Sequence, residues 1–330
     1  MSALTILAPG LLGPWPQGDG ESLPPPNAPA LQRMLARGDR LLQPPLDFEA
    51  ALARLFGLGA ADPPWGALGL WGETGQRPEG FVLRLDPVHL KLGMTDGILF
   101  GGPSMRLAMD EARALARSLE AHFSDQGWRI TVAAPERWYL QLAESSDLRT
   151  APLSRVLGRH AGLFKPQGAD ASRWLADLTE AQMLLHSHPV NQAREARGLP
   201  VINNLWPWGA GLLPPSPSMG EGLGAGVDGS SWGMVCAEHP LARGLAHAAG
   251  WVAHDLPETM DELRGDDHAL IVLDDALQPW REGDHDDWLA TVEGLEARWF
   301  APLWTAIAQG HVSGLTLDTA EGGVWRFNRA

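Results

Sequence analysis

Two end regions of the chain alternate between buried strands and amphipathic helices, and a hairpin-rich segment separates them. In the first region LTILAPGLLG predicts a strand that enters a Gly/Pro turn, and helices are predicted before Gly38 and in LDFEAALARLFGL. WGALGLWGE fits a strand or a tight loop. In the last region WGMVCA, HALIVLDDAL and VSGLTLDTA predict strands with helices between them. Such alternation is typical of a parallel sheet covered by helices.

The middle of the chain has a different pattern. FVLRLDPVHLKLG alternates apolar and polar residues and is predicted to form a hairpin with ILFGG. An amphipathic helix, MRLAMDEARALARSLEAHF, and two strands in WRITVAAPERWYLQL follow. We therefore predict a core domain from 1–80 plus 200–330 and an inserted α+β domain over 81–199. The Gly/Ser/Pro-rich stretch 209–232 is predicted to be a flexible loop.

Charge and composition restrict the kinds of partner. The 330 residues include 40 acidic and 25 basic side chains, giving a formal net charge of −15, and no basic run occurs. Because nucleic-acid binding depends on clustered Lys and Arg, we expect no nucleic-acid partner. No segment has about 18 consecutive apolar residues, so we expect no membrane span and a cytoplasmic location. Cys236 is the one cysteine, which excludes an internal disulfide and predicts a buried thiol.

The stretch HPVNQAREARGLPVINNLWPWGAG concentrates the polar residues that could bind a ligand. Asn191 and Arg194 lie three residues apart after Pro189, so they share a face near a helix N-terminus. Backbone N–H groups there, together with a guanidinium, can bind phosphate or carboxylate. A structural interpretation stays open, in which Asn191 caps a turn and Arg194 pairs with Glu195 or Glu180.

Two other features also have two interpretations. Trp206 and Trp208 can be core aromatics or can stack on a ligand. GDHDDW contains Asp284, His285, Asp286 and Asp287, which suggest either a metal site or the acidic first turn of a solvated helix, and we favour the helix. His186 and His188 would point apart on a helix, which disfavours a metal pair.

The HPVN stretch resembles the archaeal-type cofactor-independent phosphoglycerate mutases, whose version reads HPVN-x-x-R-x-x-x-G, an Asn five residues later, and I-W-L-W-G-x-G. Weaker parallels follow in the same order, in NAPALQRMLARG, DPVHLKL, APERWYLQL and PLARGLAHAAGW. The resemblance implies an α/β fold, with an alkaline-phosphatase-like core, a mostly parallel helix-covered sheet and an inserted α+β domain. It also implies a small anionic ligand and six candidate binding residues: Arg137, His188, Asn191, Arg194, Asn203 and Trp206.

The resemblance also predicts which catalytic groups are missing. These mutases hold two divalent metals with Asp and His and phosphorylate a Ser. Their first metal-binding Asp corresponds to Pro9. Their nucleophilic Ser falls near Ala61, in a stretch with no Ser or Thr between Ser22 and Thr74.

The later metal positions differ as well. A metal-binding Asp corresponds to Leu277 and a metal-binding His to Arg281. In the final Asp-His pair, Asp318 remains beside Thr319, and a phosphate-binding Arg corresponds to Leu90. The resemblance therefore predicts no catalytic residues, no bound metal and no cofactor.

These observations leave three hypotheses. The favoured one is a mutase-like protein without catalysis that binds a phosphometabolite or another anion, or acts as a regulatory protein. Bacterial relatives with this signature are grouped as phosphoglycerate mutase-like or as a pathogenicity-factor regulatory type. The alternatives are an active mutase or phosphatase whose site is rebuilt from other residues, and a structural scaffold.

Overall fold

The structure is a computed structural model that describes residues 3–13, 24–58, 62–93, 97–214, 232–263 and 268–328. The chain forms two compact units: the first comprises Met1–Gly59 and Pro217–Ala330, and the second comprises Ala60–Ser216. The second unit therefore interrupts the first in sequence, as an inserted domain would. Both of its boundaries lie beyond the predicted range of 81–199.

The helices and strands follow one another along the chain with short connections. In chain order they are β1 (Leu4–Leu7), α1 (Pro29–Arg37), β2 (Asp39–Leu42), α2 (Phe48–Leu55), α3 (Trp65–Thr74), β3 (Phe81–Leu92), β4 (Gly97–Gly101), α4 (Met109–His122), β5 (Arg129–Ala134), β6 (Arg137–Leu142), α5 (Leu153–Val156), α6 (Ala171–His186), α7 (Pro189–Ala196), β7 (Asn204–Gly211), β8 (Met234–Cys236), α8 (Pro240–Ala248), β9 (Ala253–His254), β10 (Ala269–Val272), α9 (Leu277–Glu282), α10 (His285–Leu295), α11 (Ala301–Ala308), β11 (Gly314–Asp318) and β12 (Gly323–Asn328).

The first unit is built on a seven-stranded sheet in the order β2-β12-β11-β1-β10-β8-β9. Strands β11, β1, β10, β8 and β9 pair in parallel, whereas β12 and β2 add antiparallel strands at one side. The predicted α/β class with a mostly parallel, helix-covered sheet is confirmed. Leu7 of β1 is in register with Val272 of β10 and Asp318 of β11, so the residues that follow these three strands meet at one edge of the sheet.

A long-range carboxylate fixes the start of α1 in this unit. The preceding residue, Ala28, has no side chain that could cap the helix. Instead, Glu296 in the π-helical turn between α10 and α11 accepts the backbone N–H groups of Ala30 and Leu31 at 2.7 and 3.0 Å. The negative charge at the N-terminus compensates the unpaired N–H groups and the helix dipole, which ties α1 to the helices near the C-terminus of the chain.

The second unit is an antiparallel sheet, in the order β4-β3-β6-β5, with β7 paired to β3 as well. The pairing of β7 with β3 explains why residues 204–211 belong to this unit rather than to the core domain predicted from 200 onward. The sequence WGALGLWGE forms α3 instead of the predicted strand or loop. Gly66 permits this packing, because a Cβ there would lie 2.4 Å from the Cα of Leu83 in β3.

Several local predictions agree with the structure. β3 and β4 form the predicted antiparallel hairpin, and the helix break at Pro189 separates α6 from α7. Asp284 caps α10 by accepting the N–H of Asp287, as predicted for an acidic first turn. Of the predicted loop 209–232, the first residues end β7, and 215–231 lie outside the described residues, as does Ala61. No helix among the described ranges is long and apolar enough to cross a membrane.

Candidate functional site

A group of charged side chains lies where β1, β10 and β11 end and α2 begins, all within the first unit. We call it the carboxyl-edge cluster, and its members are Asp47, Glu49, Arg54, Asp274, Arg281, Asp318 and Glu321. Crevices at the carboxyl ends of strands are the usual ligand sites of open α/β sheets. The cluster is therefore the main candidate for a functional site in this unit.

Arg54 of α2 binds the last residue of β11. Its guanidinium pairs with Asp318, whose side chain is 3% exposed, and also donates to Gln43. The other carboxylate oxygen of Asp318 accepts the N–H of Ala320 at 2.9 Å. Both oxygens of Asp318 are thus engaged by protein groups.

Glu321 is a largely buried acid near the turn that follows β1. Its Oε1 accepts the N–H of Gly10 at 2.6 Å, and its Oε2 is buried without a hydrogen-bond partner among the described residues. Burial raises the pKa of Glu321 to about 7. Gly10 has a φ of +75°, and a Cβ there would lie 2.7 Å from the carbonyl oxygen of Ala276, so only glycine fits this close approach to the start of α9.

Arg281 of α9 is the second cation of the cluster. Burial lowers the pKa of its guanidinium, while the acids around it, Asp47, Glu49, Asp274 and Glu321, act in the opposite direction. Arg281 therefore balances these carboxylates through space.

The HPVN stretch forms a closely bonded corner in the second unit. The amide of Asn191 donates to the carbonyls of Leu185 and Ile202, at 2.8 and 2.7 Å, and accepts the N–H of Ile202 at 2.8 Å. Asn191 is 4% exposed. Its amide thus joins the end of α6 to the segment that leads into β7, which is more extensive than the predicted capping of one turn.

Arg194 is completely buried in the same corner. Its guanidinium pairs with Glu111 of α4 at 2.6 Å and donates to the backbone carbonyls of Met105, Arg106 and Pro200. The predicted partners Glu195 and Glu180 were wrong, because the fold brings α4 beside α7. Burial alone would raise the pKa of Glu111, but hydrogen bonds from Ala108, Arg197 and Arg194 lower it.

Arg137 has a separate environment at the start of β6. Its Nε donates to Glu73 at 2.7 Å, and its side chain is 34% exposed. The hydroxyl of Tyr139 donates to the same oxygen of Glu73 at 3.2 Å. Within the described ranges no hydrogen bond or ion pair joins Arg137 to Asn191 or Arg194, so the three do not form one direct contact network.

A buried ion pair that no sequence pattern had singled out lies behind Arg137. Arg84 of β3 donates twice to Asp86, at 3.0 and 2.7 Å, and its guanidinium lies between the rings of Tyr139 and Trp208. Trp208 Nε1 donates to the second oxygen of Asp86 at 2.7 Å. The sequence LRLDP places an Arg and an Asp two residues apart on a strand with apolar neighbours. This pattern could have indicated the buried pair. Trp208 is thereby a core aromatic.

The remaining candidates are also engaged within the unit. Asn203 exchanges hydrogen bonds with both backbone groups of Leu90, and Trp206, 7% exposed, donates to the carbonyl of Ala151. His188 contacts Ser118 at 2.9 Å, but its Nδ1 accepts the N–H of Val190. The neutral ring therefore carries its proton on Nε2 and donates to Ser118, which is the wrong tautomer for a base that activates the serine.

Comparisons with known proteins relate this chain to one enzyme family. It is 30% identical over 162 residues to a 2,3-bisphosphoglycerate-independent phosphoglycerate mutase from Methanothrix thermoacetophila. The match covers 49% of this chain and 39% of that mutase, which is less than two thirds of its length. The chain is a distant relative of these mutases. No protein-family model matches it.

Two solved structures align with nearly the whole chain. The PH0037 protein from Pyrococcus horikoshii is 16% identical, with a TM-score of 0.56 over 98% of this chain and 86% of the other. The cofactor-independent phosphoglycerate mutase from Thermoplasma acidophilum DSM 1728 is 20% identical, with a TM-score of 0.45 over 99% and 89%. At 16% identity, the likeness to the PH0037 protein shows a shared fold.

The residues that the resemblance places at the mutase metal positions are Pro9, Leu277, Arg281 and Asp318. Pro9 follows β1 and Leu277 begins α9, and neither side chain can coordinate a cation. Arg281 is cationic, and Asp318 is paired with Arg54. Among the described residues no group of three or more His, Cys, Asp or Glu side chains could hold a metal ion. A two-metal centre needs several such ligands at about 2.0–2.2 Å from each ion.

Proposed function

We propose that this chain is a non-catalytic relative of the cofactor-independent phosphoglycerate mutases that works as a binding or regulatory protein in the cytoplasm. One observation carries the proposal. Two arginines, Arg54 and Arg281, lie in the carboxyl-edge cluster where the resemblance assigns metal ligands, together with Pro9 and Leu277. Phosphoryl transfer in such enzymes requires cations that polarise the phosphate and a nucleophile at the same edge.

Activity assays test the absence of catalysis. Purified protein is incubated with 3-phosphoglycerate and, separately, with an aryl phosphate, in buffers that contain Mn²⁺ or Zn²⁺ and in matched buffers with chelator. We expect no interconversion of phosphoglycerates and no phosphate release above the blank in any buffer. Turnover that is lost in chelator and restored by metal would contradict the proposal.

The second part of the proposal is a small anionic ligand, such as a phosphorylated metabolite or a carboxylate. Of the two arginines in the predicted binding set, Arg194 is fully buried, whereas Arg137 keeps about a third of its side chain exposed. Arg137 is therefore the arginine of this set that can reach a ligand. Asn191 and Arg194 support the position of α7 rather than contact the anion.

Calorimetric titration with 3-phosphoglycerate tests this anion site. Charged hydrogen bonds contribute about 1.5–3 kcal/mol, so Arg137→Gln is expected to weaken binding about 10-fold or more. Arg117→Gln, an exposed arginine on α4, is the matched control and is expected to bind as the wild type does. Absence of measurable heat from the wild type at millimolar ligand would contradict the anion site and leave the non-catalytic proposal standing.

A rebuilt active site is the second candidate function. The observation that favours it is the number of acids in the carboxyl-edge cluster, because Asp47, Glu49 and Asp274 are not at the mutase metal positions and carboxylates are common metal ligands. Chelator-sensitive turnover in the assays above would support this candidate. Loss of that turnover in Asp274→Asn, with the fold retained, would then place the metal in the cluster.

A further inference from the structure

Two glutamates contact Arg137 in the second unit, and we call the three residues the Glu-Arg-Glu group. Arg137 begins β6, and Glu136 lies in the turn that joins β5 to β6. Glu73 comes one residue before the end of α3. The guanidinium donates from Nε to Glu73 at 2.7 Å and from Nη1 to Glu136 at 3.4 Å. One cation and two carboxylates give the group a net charge of −1.

Glu73 is held in a fixed orientation from behind. Tyr139 donates its hydroxyl to Oε1 of Glu73 at 3.2 Å, and the same oxygen accepts from Arg137. Tyr139 is completely buried, and the guanidinium of Arg84 lies 5.0 Å from the centre of its ring. Because the tyrosine is packed in the core, Glu73 and Arg137 keep their relative positions before a ligand binds. A preorganised pair of this kind loses little conformational entropy on binding.

The Glu-Arg-Glu group keeps unused donors and acceptors at the surface. Within the described ranges, Nη2 of Arg137 and Oε2 of both Glu73 and Glu136 make no hydrogen bond. None of these three atoms is among the buried unpartnered ones, so each is accessible to solvent. A guanidinium binds the oxygens of a phosphate or carboxylate, whereas a carboxylate oxygen accepts from an ammonium. Sites for both kinds of ligand group therefore lie side by side.

We propose that the Glu-Arg-Glu group binds a zwitterionic ligand, in which an anionic group contacts Arg137 and an ammonium group of the same molecule contacts the glutamates. Amino acids and aminoalkyl phosphates belong to this class. A purely anionic ligand would bind the guanidinium but would be repelled by the two carboxylates beside it, whereas an ammonium compensates them. The inference deepens the proposed function and rests on it for a ligand at Arg137.

Calorimetric titration with a matched pair of ligands tests the ligand class. 3-Phosphoglycerate and O-phosphoserine share a carboxylate, a phosphate and a three-carbon skeleton, and the hydroxyl of the first is an ammonium in the second. Both enantiomers of O-phosphoserine are titrated, so that configuration does not decide the result. We expect the tighter enantiomer to bind at least about 10-fold more tightly than 3-phosphoglycerate, which corresponds to one charge-assisted hydrogen bond.

Glu136→Gln tests whether the carboxylates cause this preference. Glu136 lies on a turn and makes only the 3.4 Å contact with Arg137, so the variant is expected to keep the wild-type Tm. O-phosphoserine is expected to bind about 3-fold or more weakly than to the wild type, whereas 3-phosphoglycerate should bind equally well or better. The matched control is Glu144→Gln, which removes the same charge from an exposed position beyond the other end of β6. It should leave both affinities unchanged.

The outcomes separate this inference from the proposed function. Equal or weaker binding of O-phosphoserine by the wild type, or a preference that Glu136→Gln leaves unchanged, would overturn the zwitterion inference and leave the anion site standing. Absence of binding by either ligand would overturn both. Binding of O-phosphoserine alone would support the inference and replace the simple anion of the proposed function with a zwitterion.

Discussion

The HPVN corner of the second unit and the carboxyl-edge cluster of the first unit are both polar, but their polar groups are satisfied in different ways. In the corner, Arg194 and Asn191 make short, directional bonds to backbone groups and to Glu111. At the edge, Arg281 acts through space, and Arg54 Nε and Glu321 Oε2 are buried without hydrogen-bond partners among the described residues. The corner is organised for rigidity, whereas the edge buries charged groups with part of their hydrogen-bonding capacity unused among the described residues.

This difference shows why a retained motif is weak support for a retained activity. The residues of HPVN-x-x-R that match the mutases hold α6, α7 and β7 together, so a chain with this fold needs them whether or not it binds phosphate. The positions to which the resemblance assigns metal ligands, such as Pro9 and Arg281, lie instead at the carboxyl edge of the first unit. Whether the protein is catalytically active therefore depends on the residues at the carboxyl edge.

The largest expected effect is that of Arg194→Ala on stability. The substitution leaves buried carbonyls and Glu111 without their partner, so we expect a loss of about 3–5 kcal/mol in the free energy of unfolding, measured by urea denaturation. Arg197→Ala is the control, because Arg197 pairs with the same carboxylate from a side chain that is 55% exposed; about 1 kcal/mol or less is expected. Equal losses in the two variants would show that the corner is not held by its buried arginine.

Asn191→Ala should have the next largest effect. It removes three buried hydrogen bonds and leaves the backbone groups of Leu185 and Ile202 unpaired, for an expected loss of about 2–4 kcal/mol in the same assay. Asn203→Ala, which removes two less buried bonds to Leu90, should cost about 1 kcal/mol. A loss for Asn191→Ala no larger than that for Asn203→Ala would contradict the view of the corner as a rigid centre.

At the carboxyl edge the expected change in the free energy of unfolding has the opposite sign, because Glu321→Gln should stabilise the protein. The folded-state pKa of Glu321, about 7, lies above its unfolded value of about 4.5, so the folded protein binds the proton more tightly. The stabilisation by that proton is complete below about pH 4.5 and is lost as the pH rises through about 7. The neutral amide avoids this loss, so we expect a gain on the order of 1–3 kcal/mol at pH 8 and little gain at pH 4.5.

The control for this pH dependence is Glu282→Gln, an exposed acid on α9 that should change stability by less than about 0.5 kcal/mol at either pH. A Glu321→Gln variant with the same stability as the wild type at both pH values would show that burial of Glu321 does not destabilise its charged form.

Local sequence patterns predicted much of the fold. The buried strand at Leu4–Leu7 and the helix break at Pro189 follow from apolar periodicity and the chemistry of proline. The structure of α3 and the position of β7 depend on pairing across the second unit, with Gly66 packed on Leu83, and no local pattern encodes that. For the same reason the predicted boundary near residue 200 differed from the structure.

The candidate site was predictable only in part. The positions of Pro9, Leu277 and Arg281 came from the resemblance, and the strand register does place the ends of β1, β10 and β11 together. The pairing of Arg54 with Asp318 joins residues 264 positions apart, and Arg194 finds Glu111 across 83 positions. Such partners depend on tertiary structure, so sequence spacing suggested the wrong acids for Arg194.

Anomalous diffraction from crystals soaked in Mn²⁺ tests most directly whether the carboxyl edge is a metal centre. We predict no anomalous peak beside Asp318, Asp274 or Glu321, with the guanidinium of Arg54 still bound to Asp318. Two peaks about 3.5–4 Å apart at this edge, with the arginines displaced, would show a working two-metal site and contradict the account.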